Sequence, residues 1–200
     1  MKGLPHTTEI SKQLPKAAVY RKFDIAPAQQ AHFDADVSKM MFANIISANT
    51  LPAIKKGKTV QGIFVLDIQL KRRDYDTKNI TMLSRLIPQK MVFVLQYGGC
   101  AQLAIYHDKL HCGEWMNIDE ITLPLEGLTL DEVWDNIVKS IGNITIEGDR
   151  TLSEQIVEDE RQRKILCQIE ALERKARAER QPRRKIELFN MIQNLKTQIQ

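Results

Sequence analysis

Long apolar runs are missing from this 200-residue chain. No stretch approaches the roughly 20 residues that a membrane-spanning helix needs. Cysteine is scarce. Cys100, Cys112 and Cys167 are an odd number at wide spacings, which fits neither a disulfide framework nor a four-ligand zinc site. That usage points to a reducing, cytoplasmic setting. The opening Met1-Lys2-Gly3-Leu4-Pro5-His6 has no apolar core of the secretory type. Gly98-Gly99 is followed by no Lys-Ser/Thr pair and no helix, so it is a turn and not a phosphate loop. No complete catalytic motif is present.

Hydrophobic residues make up 43% of the chain and charged residues 27%. The first figure is enough for a packed core, so whole-chain disorder is excluded. The net charge of +4 is spread unevenly. Residues 161–185 hold ten basic and three acidic side chains, a charge of +7. The remaining 19 basic and 22 acidic residues give −3. Such asymmetry points to an acidic partner, nucleic acid first, although long exposed helices are commonly rich in Lys, Arg and Glu without any ligand.

The hydrophobic pattern predicts an α/β fold. Thr8–Gln13 is expected as a short helical turn. Pro27 suits a first helical position, and Phe33, Val37, Met40, Met41 and Ile45 recur at steps of 3 and 4, predicting a helix over 28–48. Residues 60–70 alternate as a strand, with Phe64, Leu66, Ile68 and Leu70 on one face and Ile63, Val65, Asp67 and Gln69 on the other. Asp76 or Thr77 caps a helix bearing Ile80, Leu83 and Ile87, and Pro88 stops it. Strands follow at 91–97, 102–107 and 114–118, the first two joined by a tight turn at Gly98-Gly99. The strand–helix–strand unit should be parallel and right-handed, and the pair around the glycines antiparallel. The expected result is a mixed sheet with packed helices. A capping box at Thr129 and Glu132 opens a further helix that carries Val133, Trp134, Ile137, Val138 and Ile141 and closes at Gly142.

The domain boundary is expected near Gly148, giving an α/β domain over 1–148 and a basic helical extension over 149–200. Thr151 and Glu154 form a second capping box. One long helix should run over 152–179, about 42 Å at 1.5 Å per residue. Its apolar residues fall in two groups: Leu152, Ile156 and Val157, expected to pack on the α/β domain, then Ile165, Leu166, Ile169, Leu172 and Ala176. After Pro182 a second helix carries Leu188, Ile192, Leu195 and Ile199. Folding back at the arginine-rich turn sets Leu172 near Leu188 or Ile192, Ile169 near Leu195, and Ile165 near Ile199. The expectation is a C-terminal antiparallel, coiled-coil-like hairpin.

Asp67, Gln69 and Lys71 form the one grouping that raises a catalytic question. Alternation along a strand puts the three on one face, where two oxygens could hold Mg²⁺ and the lysine could position water, as in the second half of a metal-dependent nuclease pattern. The first acid of that pattern, which belongs to a separate preceding strand, is not evident. The competing reading is the polar end of a strand. His107, His111 and Cys112 lie close together but have no fourth ligand at matched spacing, so no metal is assigned. Cys100 has no evident base. Trp115 and Trp134 sit in apolar patterns, as core or interface residues.

Leu14-Pro15-Lys16, the strand from Ile63 to Lys71, Ile87-Pro88 leading into Val92-Phe93-Val94-Leu95, and Arg184-Lys185-Ile186-Glu187-Leu188-Phe189-Asn190 together resemble the bacterial and archaeal family termed domain of unknown function 4391. The resemblance spans nearly the whole chain and implies no established activity. It does imply a setting beside helicases and DNA methyltransferases of restriction or phage-defence type, and so an accessory subunit. The leading expectation is a non-catalytic adaptor with no cofactor. It would bind protein partners, such as a helicase or DNA methyltransferase, and DNA through Arg174, Lys175, Arg177, Arg180, Arg183, Arg184 and Lys185. The alternatives are a divergent Mg²⁺-dependent nuclease using Asp67, Gln69 and Lys71, and a hairpin-mediated homodimer.

Overall fold

The computed structural model describes residues 4–146 and 150–198. The chain divides into two compact units, Met1–Ile144 and Thr145–Gln200. The boundary expected near Gly148 falls outside the described residues.

The first unit is built on one six-stranded sheet whose strands lie side by side in chain order. They are β1 Glu9–Gln13, β2 Val37–Ile46, β3 Ile63–Leu70, β4 Lys90–Tyr97, β5 Cys100–His107 and β6 Lys109–Asn117. β3 and β4 are parallel and every other neighbouring pair is antiparallel, so the sheet is mixed and the fold is α/β. α3, Thr77–Leu86, makes the single crossover, and the Asp76 carboxylate caps it by accepting the Lys78 N–H at 2.8 Å. Gly98 and Gly99 have φ of 57° and 81°, the positive pair that a two-residue hairpin turn needs.

Alternation sorts the strand residues onto two faces. On one, Leu66, Ile68 and Leu70 join Phe93 and Leu95 in a core with Val19 of α1 (Lys16–Lys22), Phe33 of α2 (Pro27–Asp36), and Ile80 and Leu83 of α3. On the other, Ile63 and Val65 are also fully buried, while Asp67 is half-buried and Gln69 exposed. Burial is therefore two-sided only at the start of β3. α4, Leu130–Gly142, packs on β5 and β6 and buries Val133, Trp134, Ile137, Val138 and Ile141. The Thr129 hydroxyl caps it, while Glu132 reaches one residue further than expected, to the Leu128 N–H. α4 ends at Gly142, and Asn143 takes the left-handed position behind it at φ 50°.

A clasp ties the start of α4 to the loop before β3. The Asp131 carboxylate accepts the N–H groups of Lys58 at 2.6 Å and Val60 at 2.8 Å, and the Thr59 hydroxyl at 2.8 Å. A Cβ on Gly57 would fall 2.5 Å from Asp131 Oδ1, so only glycine fits there.

Two expected helical stretches are corrected. Over Thr8–Gln13, a 3-10 turn occupies only His6–Thr8, and Glu9–Gln13 is strand β1, paired to β2. The helix expected over 28–48 stops at Asp36, and Val37 opens β2 with no intervening loop. The cause is visible in β2. Its register shifts twice, between Val37 and Lys39 and between Phe42 and Asn44. These irregularities break strict alternation, so the buried residues Val37, Met40, Asn44 and Ile46 fall at steps of 3, 4 and 2. A bulged strand thus imitates a helical period.

Candidate nucleic-acid interface

The second unit is an antiparallel helix pair, α5 Leu152–Ala178 and α6 Pro182–Lys196. Thr151 and Glu154 open α5 as a reciprocal box: the Thr151 hydroxyl accepts the Glu154 N–H, and the Glu154 carboxylate accepts the Thr151 N–H at 2.8 Å. These bonds hold the Glu154 carboxyl below its usual range. The seam is apolar. Ile165, Ile169, Ala176 and Ile192 are buried against one another, with Leu172, Leu188 and Leu195 packed around them. Ile199, expected opposite Ile165, lies outside the described residues. Of the second apolar group, expected in the seam, Leu166 is exposed; of the first, Leu152 and Ile156 are buried and Val157 is exposed.

The turn is set by Glu179 and Pro182. The Glu179 carboxylate accepts the N–H groups of Arg180 at 2.8 Å and Gln181 at 2.9 Å, and the Gln181 contact is the chief cause of its lowered pKa. Pro182 occupies the first position of α6, where no N–H is needed.

Arg174, Lys175, Arg177, Arg180, Arg183, Arg184 and Lys185 are all exposed. The turn brings Arg180, Arg183, Arg184 and Lys185 to the end of α5 and the start of α6. Two of the seven are paired within their own helices, Arg177 with Glu173 at 3.9 Å and Arg183 with Glu187 at 3.8 Å. Among the described residues, Arg174, Lys175, Arg180, Arg184 and Lys185 make no ion pair. A groove of about 690 Å³ on one side of the hairpin is lined by Lys175, Arg180 and Arg184, by the acids Glu179 and Glu187, and by Leu188 and Met191. A smaller one, about 320 Å³, is lined by Arg177, Lys185 and Lys196 with Phe189 and Ile192. Ile186 and Phe189, named in the sequence only within the run that carries the family resemblance, and Met191, not named there, are exposed, and their place outside the α6 stripe of Leu188, Ile192 and Leu195 is the signal that finds them.

The strand candidates sit in the first unit. Asp67 and Gln69 share one face of β3, as alternation requires. Burial pushes the Asp67 carboxyl up to about 6. Lys71 lies just beyond the strand, and its ammonium donates to the Asp34 carbonyl at 2.6 Å, in the last turn of α2. Next to Lys71 the structure places an acid that the sequence did not reveal: the Lys71 N–H donates to the Asp36 carbonyl at 2.8 Å. The Asp36 side chain is itself fully buried and engaged by Arg72, the Asp76 N–H at 2.9 Å and Asn79 at 2.8 Å.

His111 Nε2 lies 3.3 Å from the His107 carbonyl, and burial lowers the His111 pKa. Cys112 is 3.9 Å from the Tyr75 hydroxyl, and burial raises its thiol pKa. All three cysteines are free. Among the described residues no group of three or more His, Cys, Asp or Glu side chains gathers as a metal site. Trp134 is buried beneath Lys90, and Trp115 is part-buried beside the core with Arg73 over its ring. No helix among the described residues is long and apolar enough to cross a membrane.

The family model described as "Domain of unknown function (DUF4391)" matches residues 3–199. The chain belongs to the DUF4391 family. The match covers residues of both units. No curated protein and no solved structure matches it.

Proposed function

We propose that this DUF4391 protein is a non-catalytic accessory subunit of a bacterial DNA-processing or phage-defence system, acting in the cytoplasm beside a helicase or DNA methyltransferase. Its hairpin tip contacts nucleic acid. The observation that carries this reading is the group of exposed cations at the turn, of which Arg180, Arg184 and Lys185 make no ion pair among the described residues, although Arg184 lies within electrostatic reach of Glu179. Cations already neutralised in place gain little from a phosphate. Unpaired ones release counterions when they meet it.

The test is to change Arg180, Arg183, Arg184 and Lys185 together to Gln, which keeps length and helix propensity. Binding to a short duplex should weaken alike for unrelated sequences. The slope of log affinity against log salt should become shallower by up to ~3–4 units if each charge meets a phosphate. Unchanged affinity and slope in a variant of unchanged helicity would remove the tip as a phosphate contact.

A further inference from the structure

Two large apolar side chains, Leu166 and Phe189, project from one face of the hairpin, and Ile186 flanks Phe189 about 60° further round α6. Leu166 and Phe189 are each 50% exposed and Ile186 is 61% exposed. Their common face follows from helix spacing. Phe189 lines the smaller groove together with Glu173 and Arg177. Leu166 precedes Glu173 by seven residues, two turns along the same stripe of α5. Ile186 precedes Phe189 by three, one turn along α6. The hairpin does not need them, since Ile165, Ile169, Ala176 and Ile192 close its seam.

The groove on this face holds more cations than acids. Arg177, Lys185 and Lys196 line the groove around Phe189. The acid that lines it, Glu173, is already held by Lys196 at 3.4 Å and Arg177 at 3.9 Å, and Glu170, four residues after Leu166, is a second, exposed acid on the α5 stripe. Lys185 makes no ion pair among the described residues. A second copy of the chain would bring the same cations against these. A phosphate backbone would meet the cations but leave Leu166 and Ile186 in water. An acidic helix with apolar anchors satisfies both.

We propose that this face seats an acidic amphipathic helix from a partner protein, with apolar anchors over Ile186, Phe189 and Leu166 and carboxylates toward Lys185, Arg177 and Lys196. From Leu166 to Arg177 the platform runs about 16 Å, three turns. The apolar anchors set the site apart from the phosphate contact at the tip, while Arg177 and Lys185 belong to both.

The probe is a synthetic, fluorescently labelled helix with Leu at i, i+3, i+7 and i+10 and Glu at the outer positions, titrated with the full chain. A second peptide carries Lys in place of each Glu. The Glu peptide should bind, and the Lys peptide at least tenfold more weakly. The double change Leu166→Ser and Phe189→Ser should weaken the Glu peptide at least tenfold, with the 222 nm ellipticity and the DNA salt slope unchanged. Lys185→Glu should weaken it without removing an apolar group. No binding, equal binding of both peptides, or full affinity in the double variant overturns the proposal. So does a dimer in sedimentation that the double variant converts to monomer, which would make a second copy the occupant. Loss of duplex-DNA affinity in the Leu166→Ser and Phe189→Ser variant would also overturn it, by assigning the face to nucleic acid.

Discussion

Asp36 has its side chain fully out of solvent, with Arg72, the Asp76 N–H and Asn79 around it. Burial alone would raise its pKa, but the Asp76 N–H and Arg72 outweigh that and hold it below the usual value. Its contribution to stability is therefore full above the unfolded carboxylate value and is lost as pH falls through the lower folded one. Asp36→Ala leaves the neighbouring donors buried or unpaired and should cost about 3–5 kcal/mol in urea unfolding at pH 7. Asp67 behaves in the opposite way. Burial raises its pKa to about 6, so the charged form is penalised in the folded state, and stability falls as pH rises from about 4 to about 6. Asp67→Asn should stabilise the protein by about 1–2 kcal/mol at pH 7–8, after allowance for the solvent-screened part of the group, with the gain vanishing below about pH 4. A loss of stability at pH 7 would show that the carboxylate has a charged partner. The sequence displayed Asp67 through its alternating strand. It could not display Asp36, because the partners that bury it come from residues 72–79, more than thirty positions away.

At the scale of elements, legibility followed the regularity of each pattern. β3 alternates without interruption and α3, α4 and α5 open on capping side chains, so their limits were readable to within a few residues. β2 was not readable, because its two register shifts erase the period that marks a strand. β1 has no buried residue at all and exists only by pairing with β2. In the hairpin, the stripe at heptad-like steps revealed the seam. Nothing in that stripe distinguished Leu166 from Ile165, and only packing put one outside and the other inside. The seam therefore makes a sharp prediction. Ile169→Ala should destabilise the hairpin by about 2–4 kcal/mol, read as lost ellipticity at 222 nm. Leu166→Ala should cost less than about 0.5 kcal/mol. Equal costs would mean that the two side chains are equally buried in solution.

Across the whole molecule, the two units differ in what they offer to spectroscopy. Trp115, Trp134, Tyr20, Tyr75, Tyr97 and Tyr106 all lie in Met1–Ile144. Thr145–Gln200 has only Phe189 as an aromatic, yet it contains the two longest helices. Tryptophan emission thus reports the sheet unit alone, while helical ellipticity is weighted toward the hairpin. Leu195→Asp puts a charge into the seam and should lower the ellipticity transition while leaving the emission midpoint in place. A matching fall in both would show that the units unfold as one cooperative body.

Strand order has a kinetic consequence. Because β1 to β6 pair strictly in sequence, no strand waits for a distant segment, and the longest interval between partners is the loop or helix that joins them. Ordering entropy is then met in small instalments, and the sheet is expected to fold quickly for a mixed topology. As the chain is synthesised, each new strand finds its partner already made at a single growing edge, and the hairpin, emerging after the sheet, closes on itself with its own short turn.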